Sequence, residues 1–298
     1  MSRSTMPTGG ETGRGDGVGD AEAPPLQVDV VMVHFRAEET LFPTVEAMFD
    51  QQTGQLADPI ATLRVVDNDV DHPAKSVAEI LDREPRAQYL PQQSNIGFGR
   101  ACNMAIEHGS APHILLLNPD CRIEPTAIAE LSRRLSADPH RLAIGPKIRR
   151  PDGSPEISWA PHPTFLWEVK RRRLWRALSA GQDWAMDKAR RLTSSARDVD
   201  WLTAACLMMR RDAFERIAGF DPAYFLYFED ADLGKRLGEH GKLRFDPSVE
   251  VEHLGGSSSE HDRMAALQHY RESQRTYYRK HRPVMERAGL ALWRRIRQ

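Results

Sequence analysis

Six carboxylates stand at the ends of apolar runs, where a solvated surface role is least natural. Asp67 and Asp69 follow LRVV, Asp120 follows HILLL, and Glu229, Asp230 and Asp232 follow the aromatic run at 224–228. One acid beyond a strand commonly caps the next helix. Three clusters at the same edge of one sheet can do more, because carboxylates bind hard cations such as Mg2+ or Mn2+, and these bring phosphate-bearing ligands with them. A close pair such as Glu229 and Asp230 also raises the pKa of one member, which suits a general base. His253 follows VEVE and precedes Gly255-Gly256-Ser257-Ser258, a place open to a packed histidine and to a metal ligand alike. Glycines and serines there suit a mobile lid.

The elements that must position these groups alternate. Apolar, β-branched runs at 28–35, 62–67, 87–90, 113–117 and 142–148 predict strands, and helical spacing at 41–51, 76–82, 96–107 and 125–135 predicts helices between them. Such alternation implies right-handed βαβ crossovers and an α/β fold with a mostly parallel central sheet, helices on both faces, and ligands at the carboxyl ends of the strands. The first strand runs into His34-Phe35-Arg36-Ala37-Glu38 without glycine, so the pyrophosphate turn of a dinucleotide fold is missing, and no GxxxxGK[ST] occurs. Beyond 148 the alternation stops. Residues 151–163 read as a Pro-rich loop, 165–191 as a basic, Trp-bearing helical segment, 199–210 as one buried strand, and 212–217, 231–240 and the tail from 262 as helices.

The chain has 298 residues, with 41 Lys and Arg against 42 Asp and Glu. That near neutrality hides two basic stretches: 168–197 carries a net charge of +6 and 271–298 a net +7, on a body of −14. Both mix Trp and Leu with Lys and Arg, a composition suited either to solvated helices or to interfacial helices on anionic lipid. No RRM, zinc-finger or helix-turn-helix signature accompanies them, so nucleic acid is not the expected partner. The leader at 1–25 is polar and Gly-rich, is expected to be disordered, and lacks a signal-peptide pattern. Three cysteines, Cys102, Cys121 and Cys206, in no metal or redox spacing are expected as buried thiols in a reducing compartment.

Four motifs in order carry a resemblance. Asp67-Asn68 after LRVV, Asn95-Ile96-Gly97-Phe98-Gly99 with Asn103 following, Asn118-Pro119-Asp120, and Gly219-Phe220-Asp221 leading to Phe228-Glu229-Asp230-Ala231-Asp232-Leu233 resemble the family 2 inverting glycosyltransferases of the GT-A fold, rhamnosyltransferase-like members above all. The resemblance implies a nucleotide-sugar donor, with base and ribose near Asp67 and Asn95 on the flanking loop. Asp120 matches the last acid of the Asp-x-Asp motif that holds a divalent metal, Mg2+ or Mn2+, on the donor diphosphate. Asn118 replaces the first acid. His253 matches a histidine that completes the metal shell in some relatives.

Asp230 matches the catalytic base; Glu229 would bind acceptor hydroxyls, and Asp232 would cap the helix running to 240. Trp201-Leu202-Thr203-Ala204-Ala205 matches a segment near acceptor and sugar, with Ala204 in place of the usual glycine and Trp201 either stacking on a sugar or packing in the core. Arg275 in RTYYRKH reads as a solvated helix face or as a contact to the diphosphate. The implied organisation is a glycosyltransferase domain at 26–261, with a donor half at 26–150 and an acceptor half at 151–261, then a basic helical tail at 262–298. The expected reaction moves a sugar, for instance rhamnose from dTDP-rhamnose, to a glycan or lipid-linked acceptor on the cytoplasmic face of the membrane. A nucleotidyltransferase and a non-catalytic carbohydrate-binding relative are the alternatives. The first would need a Gly-rich basic turn after the opening strand, and the second would tolerate loss of Asp120 or Asp230.

Overall fold

The computed structural model describes residue 1, residues 27–254 and residues 263–295. The leader and the Gly255-Gly256-Ser257-Ser258 segment therefore lie outside the described residues.

Strands β1 (Val28–His34), β2 (Ile60–Asp67), β3 (Ala87–Pro91) and β4 (His113–Leu117) pair in parallel in the order β3-β2-β1-β4, linked by α1 (Glu38–Glu46), α2 (Lys75–Leu81) and α3 (Phe98–Glu107). Side-chain alternation explains why this sheet is covered on both faces. Val28, Val30, Met32, Leu115 and Leu117 pack on one face with Leu41, Val45, Val77 and Leu81 of α1 and α2. Val31, Ile114 and Leu116 pack on the other with Ala101 and Ala105 of α3.

After β4 the chain forms β5 (Cys121–Arg122), α4 (Pro125–Ser136) and β6 (Arg141–Arg149). Then β7 (Pro155–Glu156), β8 (Trp159–Ala160), α5 (Phe165–Ser179), α6 (Asp183–Leu192), β9 (Arg197–Val199), β10 (Trp201–Leu202) and β11 (Cys206–Arg210) follow. The chain closes with α7 (Arg211–Arg216), α8 (Glu229–Gly238), β12 (Lys242–His253), α9 (Arg263–His281) and α10 (Val284–Arg295). The full sheet runs β3-β2-β1-β4-β11-β6-β12-β5. β11 lies antiparallel between β4 and β6, so β6 and β12 point the same way as the first four strands.

Three sequence expectations change. The apolar run at 199–210 is not one strand: β10 leaves the main sheet to pair with β8, Thr203 N donates to Ser158 O at 2.8 Å, and only β11 rejoins. The Pro-rich loop contains β7, hydrogen-bonded to β6, and β8. The basic segment is two helices, because Gly181, at φ 63, ends the first with a left-handed residue.

The tail packs onto the body through a third apolar cluster of Tyr224, Phe228, Tyr277, Tyr278 and Leu290. No helix among the described residues is long and apolar enough to cross a membrane.

Candidate active site

β1, β2, β4, β6 and β12 all end at one edge of the sheet, and the N-terminus of β11 lies there too. A cleft of about 640 Å³ opens at that edge. Asn95, Asp120, Trp201, Glu229, Asp230 and His253 all line it. Asp67 does not. Its carboxylate is 2% exposed and is consumed by Asp69 N at 2.8 Å, Ala74 N at 2.9 Å and the Tyr89 hydroxyl, while the neighbouring Asn68 reaches the cleft instead.

Asp120 follows the tight turn after β4, where Cys121 N donates to Asn118 O and Thr44 of α1 holds Pro119 O at 2.8 Å. β12 pairs with β5 in the register His253 to Cys121, which brings the histidine to that turn. His253 Nε2 lies 3.2 Å from Asp120 Oδ1, and Nδ1 lies 2.9 Å from Glu156 Oε2. Burial alone would lower the His253 pKa, but the two carboxylates override it and push it up to about 10. Glu156 was not foreseen; it arrives through the β6–β7 pairing, Ile148 opposite Glu156.

This donor set fits a divalent cation. A carboxylate and an imidazole nitrogen converge, and a second carboxylate on Nδ1 fixes the tautomer that leaves Nε2 to ligate. The Cys121 sulfur also lies near this pair, but burial raises its thiol well above the usual range. All three cysteines are free and buried, as expected.

Across the cleft, α8 presents Glu229 and Asp230 from its first turn. The chain enters through Tyr227 and Phe228, both left-handed at φ 68 and φ 66, a conformation that bulky residues adopt only when the surroundings enforce it. Part of that enforcement comes from Gly97, at φ 85. A Cβ there would stand 2.5 Å from Phe225 O, which accepts from Phe98 N at 3.0 Å. Asn95 Oδ1 in turn accepts from Gly97 N at 2.9 Å, so Asn95 shapes the loop facing Asp230. Asn103 clasps Phe220 through both its backbone N–H and its carbonyl.

Glu229 is 6% exposed, and burial followed by the Asp230 charge raises its pKa strongly. Asp230 is half-buried and raised less. Burial pushes it up; N–H groups of the helix start and of Ala204, with Arg171, pull it back. Of the two, Asp230 ionises first. Asp232 is no helix cap. It is 1% exposed and accepts from Arg236 Nε at 2.7 Å, His281 Nε2 at 2.6 Å and Tyr224 Oη at 3.2 Å, tying α8 to the tail.

Trp201 lines the cleft edge-on to Trp167 at 6.4 Å, its indole N–H on Pro161 O. Two arginines on the wall were not assigned from the sequence. Arg171 bonds Glu168 at 3.2 Å and faces Asp230. Arg36, at φ 53, anchors its N–H on Asp69 and buries an Nε without a partner among the described residues.

Residues 29–218 match the family described as "Glycosyl transferase family 2". An N-acetylglucosaminyl-diphospho-decaprenol L-rhamnosyltransferase of Mycobacterium tuberculosis (strain CDC 1551 / Oshkosh) is 34% identical over 211 residues, 65% of this chain and 67% of that protein. A mannosyltransferase from Pyrobaculum calidifontis in complex with GDP-Man and Mn2+ superposes with a TM-score of 0.50 at 14% identity, covering 91% of this chain and 80% of that one. GalNAc-T7 with UDP, GalNAc and Mn2+ superposes with a TM-score of 0.53 at 15% identity, covering 85% of this chain, which spans half of that one.

Proposed function

Because the chain belongs to glycosyl transferase family 2 and is a rhamnosyltransferase-like enzyme with the GT-A fold, we propose that its cleft performs inverting transfer of a sugar from a nucleotide donor to a hydroxyl of a lipid-linked glycan. Rhamnose is the sugar in the name of the mycobacterial relative, and dTDP-rhamnose is the donor we propose on that basis. The observation that carries this reading is the juxtaposition, in one cleft, of a carboxylate pair of raised pKa with the Asp120–His253 pair.

Asp230 accepts the proton of the acceptor hydroxyl as that oxygen bonds to the anomeric carbon. The bond from that carbon to the donor diphosphate breaks on the opposite face, inverting the centre. The N–H groups around Asp230 keep it ionised near neutral pH, and Glu229, protonated, donates to an acceptor hydroxyl. Asp120 and His253 would hold a divalent cation, Mn2+ or Mg2+, whose chemistry is to neutralise the charge on the leaving diphosphate. Asn68, Asn95 and Arg36 line the donor side, and Trp201 and Trp167 the acceptor side. Asp67 acts from behind, fixing the turn that presents Asn68.

A thermal-stability panel of nucleoside diphosphates and nucleotide sugars, with and without Mn2+, tests the reading. Stabilisation by a thymidine or uridine diphosphate donor that needs Mn2+ and is lost in His253→Ala is expected. No response to any nucleoside diphosphate would refute it.

A further inference from the structure

At the acceptor end of the cleft a second cavity, of about 640 Å³, lies between α5, α9 and α10. It shares Glu168, Arg171, Trp175 and Tyr270 with the cleft that holds Asp230, so the two spaces adjoin. Six arginines line it, Arg171, Arg172, Arg271, Arg275, Arg287 and Arg294, against the single carboxylate of Glu168. That carboxylate is already taken by Arg171 at 3.2 Å and the Tyr270 hydroxyl at 3.1 Å. Among the described residues no carboxylate forms an ion pair with Arg271, Arg275, Arg287 or Arg294.

Gathering guanidinium groups around a concave, partly desolvated space is unfavourable unless a ligand brings the opposing charge. Arg294 registers that cost, its pKa lowered by burial and then by repulsion from Arg275 and Arg271. Two donors without acceptors line the same space. The Tyr278 hydroxyl belongs to a side chain 1% exposed, and Arg287 Nε is buried; neither has a hydrogen-bond partner among the described residues. Arginine forks and a phenol match the oxygens of a diphosphate.

We propose that this cavity, which adjoins the cleft that holds Asp230, binds the diphosphate of the lipid-linked acceptor. The assignment rests on the lipid-linked reading above and gives it a specific anchor. Its wall also carries Trp175, Leu267, Leu290, Ala291 and Trp293, an apolar margin along which an isoprenoid chain leaves. The donor diphosphate is a poorer fit, because neither Asp120 nor His253 reaches this cavity.

The test uses the full chain with farnesyl diphosphate, an isoprenyl diphosphate without sugar, as probe. It should stabilise the wild type against heat, and the triple variant Arg271→Ala/Arg275→Ala/Arg287→Ala should bind it at least tenfold more weakly. Should the triple variant unfold, Arg275→Glu, on an exposed side chain, should show the same weakening. Stabilisation by a nucleotide donor should be equal in all variants. In turnover, KM for a diphosphate-linked glycan acceptor should rise tenfold, while KM for an alkyl glycoside of the same sugar stays constant. Equal farnesyl diphosphate affinity in wild type and variants would overturn the proposal. So would loss of binding to phosphatidylglycerol vesicles with farnesyl diphosphate affinity retained, since the arginines would then serve membrane lipid. Failure of every nucleotide to bind refutes the transferase reading instead and leaves the farnesyl diphosphate result standing.

Discussion

Glu229 and Asp230 are neighbours in sequence with opposite assignments, and burial makes the difference. Asp230 keeps hydrogen bonds to backbone N–H groups and faces the charge of Arg171, so it can be an anion; Glu229 has an oxygen without a partner among the described residues and holds its proton. Asp230→Asn should therefore lower turnover about 100- to 10,000-fold, the usual worth of a general base. Donor-induced thermal stabilisation should persist. Activity should fall as pH drops through about 6, where Asp230 takes up its proton. The folded protein binds the Glu229 proton more tightly than the unfolded chain does, so this residue contributes stability in acid that is lost as pH rises from about 4.5 through about 8. Glu229→Gln should then leave stability unchanged at pH 4 and gain about 1–3 kcal/mol at pH 9, one pKa unit being about 1.4 kcal/mol. Urea melts at the two pH values check this; a larger gain in acid would contradict it.

Among the elements, α8 shows local preference yielding to packing. Alanine normally improves a helix over glycine by about 1 kcal/mol. At Gly234, however, an added Cβ would meet Trp201 Cβ at 2.5 Å and Asp200 O at 2.8 Å, because β10 lies directly on this helix. Gly234→Ala should destabilise by about 1–3 kcal/mol, an overpacking cost that outweighs the propensity gain. It should also raise the acceptor KM, since Trp201 must shift. An increased urea midpoint would show that propensity prevails. The strand and helix alternation as far as β6 was legible because each element has one period and a clear stop. The run at 199–210 was not, because a continuous apolar stretch gives no sign that Trp201-Leu202 pairs with β8 while Cys206–Arg210 enters the sheet between β4 and β6. Asp120 was readable from its place after a strand, and Glu229 and Asp230 from their place after an aromatic run. Glu156 and Arg171 were not, since each reaches the site through a pairing or helix packing that no local pattern encodes. Asp67 carried a family likeness, yet only the fold reveals that its oxygens are spent on its own loop.

For the whole molecule, charge and apolar exposure coincide. Among the described residues, nine of the eleven exposed large hydrophobic residues lie on α5, α6, α9 and α10, the helices that carry the basic excess. That distribution leads us to propose that this face rests on anionic lipid. Wild type should co-sediment with phosphatidylglycerol vesicles at low salt and not with phosphatidylcholine vesicles. Leu166→Glu with Leu292→Glu, both highly exposed, should weaken binding at least tenfold without changing the melting temperature. Equal sedimentation of the double variant would refute the surface. The tail that forms part of this face is also clamped to α8, through His281 on the Asp232 carboxylate that Arg236 of the same helix shares, and to the loop before α8, through Lys280 on Asp221. Amide hydrogens in α8 and α9 should consequently exchange as one cooperative unit, so that whatever loosens the tail also loosens the turn that carries Glu229 and Asp230.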